Sequence, residues 1–151
     1  MKNLLITIVI FLLIFSLACD QEERVFNEDF IIEFGSVCGW CAGEELIKVS
    51  QSGIIYIRTI PCGDDKGTTQ KERTISVNEW DQINASFDYA FFKTLEYNEC
   101  NVCADGCDEF IKITESGNTD KISYSPEKQI EGLEDLKSLL NDLLEEMREA
   151  D

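Results

Sequence analysis

The sequence predicts an α+β fold: an antiparallel sheet of about five strands with two main helices packed on one of its faces. Three observations support this prediction. Short apolar segments occur in pairs around glycine-containing turns, which is the pattern of β-hairpins. A helical pattern follows each pair. The two halves also align, from a Cys-x-x-Cys motif to a Ser-Gly turn, which predicts a hairpin–helix repeat over about residues 38–95 and 100–149.

The first half begins with a strand candidate at residues 29–34, which is rich in β-branched and aromatic side chains. Residues 45–51 and 54–60 flank the Ser-Gly pair at 52–53 and predict the first hairpin. Residues 61–67 contain proline, glycine and charged residues, so we expect a polar loop there.

A capping-box pattern marks the start of the first helix. Ser76 is followed three residues later by Glu79, the arrangement in which each side chain satisfies a free backbone N–H of the other residue. Trp80, Ile83 and Phe87 then recur at helical spacing. We therefore predict an amphipathic helix whose aromatic side chains pack in the core.

The second half repeats this order. Residues 110–114 and 121–124 flank a turn at 116–118 and predict a second hairpin. A final helix is expected from Ser125 as its cap, with Pro126 in its first turn. Its apolar face is predicted to comprise Leu133, Leu136, Leu140, Leu143 and Met147. Together these elements predict one domain over residues 29–151.

The N-terminal segment has the pattern of an export signal. Lys2 precedes an apolar run at residues 4–17, which is short for a membrane span. The run ends in Ala18-Cys19, which resembles the lipobox of bacterial lipoproteins. That resemblance implies that residues 1–18 are a signal peptide and that Cys19 is the lipidated first residue of the mature chain.

Residues 20–23 form an acidic cluster, which resembles the surface-export signal of lipoproteins from Bacteroidota-type bacteria. The layout of the mature segment is also similar to uncharacterised families of small, cysteine-containing lipoproteins from such bacteria. These resemblances imply an outer-membrane lipoprotein exposed at the cell surface. Residues 19–28 would form an acidic tether between the lipid anchor and the domain.

The charge of the mature chain excludes some partners. Removing residues 1–18 takes away one lysine, which leaves 12 Lys+Arg against 30 Asp+Glu and a net charge of −18. Such a chain would be repelled by nucleic acid and by anionic lipid. It contains no histidine, so neither a Ser-His nor a Cys-His catalytic arrangement can be built. We expect a monomer without enzymatic activity or a cofactor, held at the membrane by its lipid and binding an unknown protein.

Six cysteines remain after Cys19, and an even number in an exported chain indicates a disulfide framework. In the predicted first hairpin, position 62 faces position 43, which lies beside Cys41. The Cα atoms of Cys41 and Cys62 could therefore come within disulfide distance, and we favour a bond between them. Cys38 could then reach any of three cysteines of the second half. The disulfide candidates are Cys38, Cys41, Cys62, Cys100, Cys103 and Cys107.

Two other functions of the cysteines remain open. Two Cys-x-x-Cys motifs separated by a β-rich segment are typical of a four-cysteine site for zinc or iron. Residues 30–41 resemble the strand and Cys-x-x-Cys entry of the thioredoxin family, which implies a thiol–disulfide oxidoreductase using Cys38 and Cys41.

Trp40 is the residue that the repeat does not explain, because the second half has Val102 at the equivalent place. Tryptophan is enriched at the energetic centres of protein interfaces. If it is exposed, Trp40 is therefore our candidate for a partner contact.

Overall fold

A computed structural model describes residues 30–150 and has an α+β fold built on one six-stranded antiparallel sheet. The predicted signal peptide, Cys19 and the tether lie outside the described residues. The strands are β1 Phe30–Cys38, β2 Gly43–Ser50, β3 Gly53–Ile60, β4 Gly67–Arg73, β5 Cys107–Glu115 and β6 Asn118–Tyr124. The helices are α1 Val77–Ala85, α2 Tyr89–Phe92 and α3 Glu134–Glu149, with a 3₁₀ helix at Asn101–Ala104. None of these helices is long and apolar enough to cross a membrane.

Strand β1 lies inside the sheet, between β2 and β5, in the strand order β4-β3-β2-β1-β5-β6. Ile32 of β1 faces Val49 of β2 on one side and Ile113 of β5 on the other. All three side chains are fully buried. The strand that directly follows the predicted tether therefore joins the two hairpins into one sheet.

Both main helices pack on the same face of this sheet, as predicted. Trp80 of α1 and Leu140 of α3 belong to the same buried cluster as Ile32 and Phe34 of β1. Alternate residues of a strand point to one face, so these two β1 residues mark the helix-covered side. Ile31, on the opposite face, is half-buried and contributes nothing to that cluster.

The sheet has six strands where the sequence predicted about five. The additional strand is β4, which pairs with β3 and forms one edge of the sheet. Its sequence, GTTQKER, contains no large apolar residue, and its first four residues are all exposed. An edge strand exposed to solvent needs little apolar surface, so it lacks the hydrophobic alternation that identifies a half-buried strand.

The turn of the first hairpin differs from the prediction. Ser50 faces Gly53, so the turn residues are Gln51 and Ser52 rather than the Ser-Gly pair. The whole register of β2 against β3 moves accordingly, with Glu44 facing Thr59. If this register is extended past the ends of the two strands, position 62 lies directly opposite position 41. These positions are occupied by Cys62 and Cys41.

The predicted repeat corresponds to part of the sheet only. Strands β2 and β5 contact β1 in the same register, because Gly35 faces both Leu46 and Phe110. However, β3 lies outside β2 and β6 lies outside β5, so the two hairpins extend toward opposite edges. Among residues 30–150, no strand after the second hairpin corresponds to β4. The arrangement therefore does not confirm a hairpin–helix repeat.

Helix α1 begins with the predicted capping box. The Ser76 hydroxyl accepts a hydrogen bond from the Glu79 backbone N–H at 3.2 Å, and the Glu79 carboxylate accepts one from the Ser76 N–H at 2.8 Å. Arg73 also pairs with Glu79 at 2.9 Å. The hydrogen bonds from Ser76, followed by that from Arg73, lower the pKa of Glu79 to about 2.

Replacing Ser76 with alanine will lower the free energy of unfolding by about 1 kcal/mol, because the Glu79 backbone N–H loses the hydroxyl that caps it. The pKa of Glu79 is lower in the folded state than its ordinary value of 4.5, so the carboxylate stabilises the fold fully at pH values above 4.5. This contribution is lost as the pH falls through about 2. Urea unfolding over this pH range measures both effects. Glu79→Gln is the matched variant, and an acid dependence unchanged by it would contradict this assignment.

Helix α3 begins at Glu134, so the predicted start at Ser125 is wrong. Gly132 has a φ of +84°, a left-handed conformation that interrupts helical structure immediately before the actual start. Lys137, in the first turns of α3, donates hydrogen bonds to the carbonyl oxygens of Pro126 at 3.1 Å and Lys128 at 3.2 Å. The segment before the helix is therefore held as a loop against it. The predicted apolar face of α3 is buried, with Leu133, Leu136, Leu140, Leu143 and Met147 at most 9% exposed.

Candidate functional site

Three loops meet at one end of the sheet, which we call the disulfide end. They are residues 39–42 between β1 and β2, residues 61–66 between β3 and β4, and residues 100–106 before β5. Antiparallel pairing brings them together, because Cys38 at the end of β1 faces both Gly43 and Cys107. All six candidate cysteines lie in these loops or at the adjoining strand ends.

Three disulfides cross-link this end. Cys38 bonds to Cys107, its direct neighbour across β1 and β5, with a Cα–Cα distance of 4.1 Å. Of the three partners considered for Cys38 from the sequence, the structure therefore has Cys107. The bond Cys41–Cys62, favoured from the hairpin, is present with a Cα–Cα distance of 5.4 Å. The third bond closes a local Cys-x-x-Cys motif, Cys100–Cys103.

This pairing bears on both other functions considered for the cysteines. Cys38 and Cys41 bond to different partners and not to each other, so their motif does not form the disulfide of a thioredoxin-type site. The cysteines within residues 30–150 are all bonded, which leaves no thiolate for a metal ion in this oxidised form. In the same part of the chain, no group of three or more Cys, Asp or Glu side chains is placed to hold a metal ion.

The turn between β1 and β2 has an unusual backbone. Trp40 has a φ of +50° and Cys41 a φ of +68°, and the Ala42 N–H donates to the Gly39 carbonyl oxygen at 3.1 Å. Positive φ at both central residues is the combination of a type I′ turn, for which asparagine and glycine are usual. A bulky aromatic residue with positive φ is a conformational outlier. The Cys41–Cys62 bond tethers this turn to the neighbouring loop.

Trp40 is presented to solvent on this turn. Its side chain is 83% exposed, whereas the other tryptophan, Trp80, is 9% exposed in the core. The other large apolar side chains exposed within residues 30–150 are Val77 at 47% and Phe91 at 38%. An indole of this exposure contributes little to the packing of its own chain.

The turn is also held from the side of the third loop. The Gly39 N–H donates to the Gly106 carbonyl oxygen at 3.0 Å. A Cβ atom added to Gly39 would lie 3.0 Å from the Cα of Asp105, so the two loops are in close backbone contact. Trp40 therefore projects from a turn that is fixed on both sides.

Asp108 organises the third loop, and the sequence analysis did not identify it. Its carboxylate is 1% exposed and accepts hydrogen bonds from the Asn101 backbone N–H at 2.8 Å, the Asn101 side chain at 2.9 Å and the Val102 N–H at 3.1 Å. Burial by itself raises the pKa of Asp108, but these hydrogen bonds outweigh it and the net shift is downward. An acidic residue seven positions after an asparagine gives no local signal, because the contact needs the folded loop.

Replacing Asp108 with asparagine will lower the free energy of unfolding by about 2 kcal/mol, since a buried carboxylate that accepts three hydrogen bonds becomes a neutral amide. Because the pKa of Asp108 is lowered from its ordinary value of 3.8, the carboxylate stabilises the fold fully at pH values above 3.8. This contribution is lost as the pH falls further. Chemical denaturation at neutral and acidic pH measures both. The exposed neighbour Asp105→Asn is the control, and an equal loss in both variants would contradict the role of Asp108.

A cavity of about 300 Å³ lies between β6, α3 and the loop that connects them. Lys137 in its wall pairs with Glu109 at 2.7 Å in addition to its two carbonyl contacts. Tyr124, whose ring lies 5.0 Å from the Lys137 ammonium, is fully buried, which raises the pKa of its hydroxyl. Lys137 thus contacts the loop, Glu109 and the Tyr124 ring, and we assign it to holding the loop on α3.

No known protein family matches the chain, and a search of the curated proteins found no similar sequence.

Proposed function

We propose that this chain is a lipid-anchored, disulfide-stabilised extracytoplasmic module that binds a partner protein through Trp40. One observation carries the proposal: an indole that is 83% exposed on a turn fixed by the Cys41–Cys62 bond. A buried aromatic anchor at the centre of an interface typically contributes 2 kcal/mol or more to binding. A side chain that is already held in place loses less conformational entropy when it binds.

The conformational cost at Trp40 supports a binding role. Placing a bulky residue in the left-handed backbone region costs about 1–2 kcal/mol of conformational free energy. Asparagine or glycine at this position would avoid most of this cost. A turn that served only to connect β1 and β2 has no need of tryptophan. Strained residues concentrate at functional sites, because selection for a contact can offset the loss of stability.

The position of the turn agrees with an anchor at Cys19. Strand β1 runs from Phe30, next to the tether, to Cys38, next to Trp40. Nine strand residues span about 30 Å at about 3.3 Å per residue. An anchor that precedes β1 would place the Trp40 turn at the end of the domain away from the membrane.

The proposed location is the cell surface, on an outer-membrane lipoprotein of the Bacteroidota type. Three disulfides suit an exported protein, since such bonds persist in oxidising compartments. Replacing Cys19 with alanine should release the protein from the membrane fraction, and external protease should digest the wild-type protein on intact cells. A Cys19→Ala protein that remains with the membrane would contradict the anchor.

Binding through Trp40 is tested by capture experiments. Wild-type protein and Trp40→Ala are immobilised in equal amounts, and captured surface proteins are compared by quantitative mass spectrometry. We expect at least one protein to be retained by the wild type and depleted about tenfold or more in Trp40→Ala, as the loss of a central aromatic contact implies. Val77→Ala is the control, because it removes a different exposed apolar side chain. Identical capture by all three proteins would contradict the proposal.

The six bonded cysteines do not favour an oxidoreductase that uses Cys38 and Cys41, nor a four-cysteine metal site. A redox role would require a bond between Cys38 and Cys41 that cycles with a dithiol reductant. Peptide mapping without reduction distinguishes these functions: linked peptides with Cys38–Cys107 support the binding module, and a Cys38–Cys41 bond would support the oxidoreductase.

A further inference from the structure

The loops that adjoin the Trp40 turn carry more negative than positive charge. The adjoining loops contribute Asp64 and Asp65 on one side and Asp105 on the other, all of them exposed. Their connections to the turn are short, because Cys41 bonds to Cys62, and Gly39 lies against the backbone of Asp105. Lys66 is the one cation in the three loops of the disulfide end.

These carboxylates form no ion pair within residues 30–150, although Lys66 and Arg58 line the same surface pocket as Asp65. The ion pairs among residues 30–150 lie elsewhere, and none includes a residue of the three loops. The cations engaged in them are Lys48, Arg73, Lys112, Lys128, Lys137 and Arg148. With three exposed aspartates against one lysine, the loops of the disulfide end carry a net negative charge next to the turn with the exposed indole.

We propose that the partner surface recognised by Trp40 is cationic: an arginine- or lysine-rich protein segment, with one cationic side chain placed over the indole ring. This inference rests on the proposed binding role of Trp40 and specifies the chemistry of its partner. The face of an indole ring attracts cations, and tryptophan does so more strongly than the other aromatic residues. Asp64, Asp65 and Asp105 would steer the cationic segment toward the ring and accept hydrogen bonds from its remaining basic groups.

The same charges disfavour other partners for an exposed tryptophan. Indole rings also insert at the surface of lipid bilayers, but aspartates on both sides of Trp40 would be repelled by anionic lipid headgroups. An acidic protein or a nucleic acid would be repelled as well, and the net charge of −17 on the whole chain adds to this effect. A cationic protein segment is the class that both the ring and its surroundings attract.

The test uses a fluorescently labelled octaarginine peptide and the mature, disulfide-bonded chain, with binding followed by fluorescence anisotropy. We expect Trp40→Ala to weaken binding about tenfold and Trp40→Phe to weaken it by about threefold, since phenylalanine retains a smaller aromatic face. The triple variant Asp64→Asn, Asp65→Asn and Asp105→Asn should also weaken binding and should flatten its dependence on salt.

A charge-matched control separates a local site from general attraction. Glu72, Asp81 and Glu115 are exposed and belong to no ion pair within residues 30–150. Their joint replacement by the corresponding amides changes the net charge as much as the triple aspartate variant does. An equal loss of affinity in the two triple variants would overturn the proposal, because binding would then depend on total charge alone.

Two further results would overturn it. One is a peptide of eight glutamines that binds as tightly as octaarginine and with the same dependence on Trp40. The other is Trp40-dependent co-sedimentation of the unacylated Cys19→Ser chain with phosphatidylcholine vesicles, which would identify a lipid surface as the partner. If octaarginine fails while native capture still requires Trp40, only the cationic partner is contradicted, and the binding role of Trp40 stands.

Discussion

Replacing Cys38 and Cys107 together with serine will lower the free energy of unfolding by about 4 kcal/mol, the largest effect expected for any of the three bonds. The reason is loop closure. This bond connects positions 69 residues apart, against 21 for Cys41–Cys62 and 3 for Cys100–Cys103. A bond that closes a longer loop removes more conformational entropy from the unfolded chain.

Urea unfolding below room temperature, monitored by tryptophan fluorescence, measures this effect. The matched controls are the corresponding double serine variants of the other two bonds, for which we expect losses of about 3 kcal/mol at Cys41–Cys62 and about 2 kcal/mol at Cys100–Cys103. Should the Cys38 and Cys107 variant be no less stable than the Cys100 and Cys103 variant, the assigned bond pattern or its entropic basis would be wrong. Peptide mapping without reduction decides between these two explanations.

Replacing Trp40 with asparagine will raise the free energy of unfolding by about 1 kcal/mol while reducing capture of the partner by about 30-fold. Asparagine adopts the left-handed conformation at lower cost than tryptophan, and the turn requires that conformation at position 40. The indole is 83% exposed, so its removal takes little from the core. Stability and binding should therefore change in opposite directions.

Thermal unfolding and capture are measured on the same preparations of wild-type protein, Trp40→Asn and the control Val77→Asn. The control removes an exposed apolar side chain on α1 and should leave capture unchanged. A destabilised Trp40→Asn protein that retains its partner would indicate that Trp40 serves the fold rather than binding.

The elements that the sequence predicted well are those defined by neighbouring residues. The capping box of Ser76 and Glu79 needs four consecutive positions, and it is present with both hydrogen bonds. The apolar face of α3 follows from three- and four-residue spacing, and Leu136 and Leu140 are fully buried. Both hairpins are present because alternation and turn residues are also local signals.

The features that the sequence left out or placed wrongly depended on the folded chain. Strand β4 is recognised through its pairing with β3, because its own residues are polar. Helix α3 starts at Glu134 because Gly132 adopts a left-handed conformation and Lys137 binds the preceding loop. Neither the conformation of Gly132 nor the hydrogen bond of Lys137 can be recognised from residue periodicity around Ser125.

By itself the sequence determined the α+β class, the helices on one face, the candidate cysteines and the choice of Trp40 as a residue without a structural explanation. Only the tertiary structure decided that Cys38 bonds to Cys107, that Asp108 is buried under the third loop, and that Trp40 is exposed on a strained turn. The physical reason is distance along the chain. Periodicity and capping report on residues a few positions apart, whereas disulfide pairing and exposure depend on which distant segments the sheet brings together.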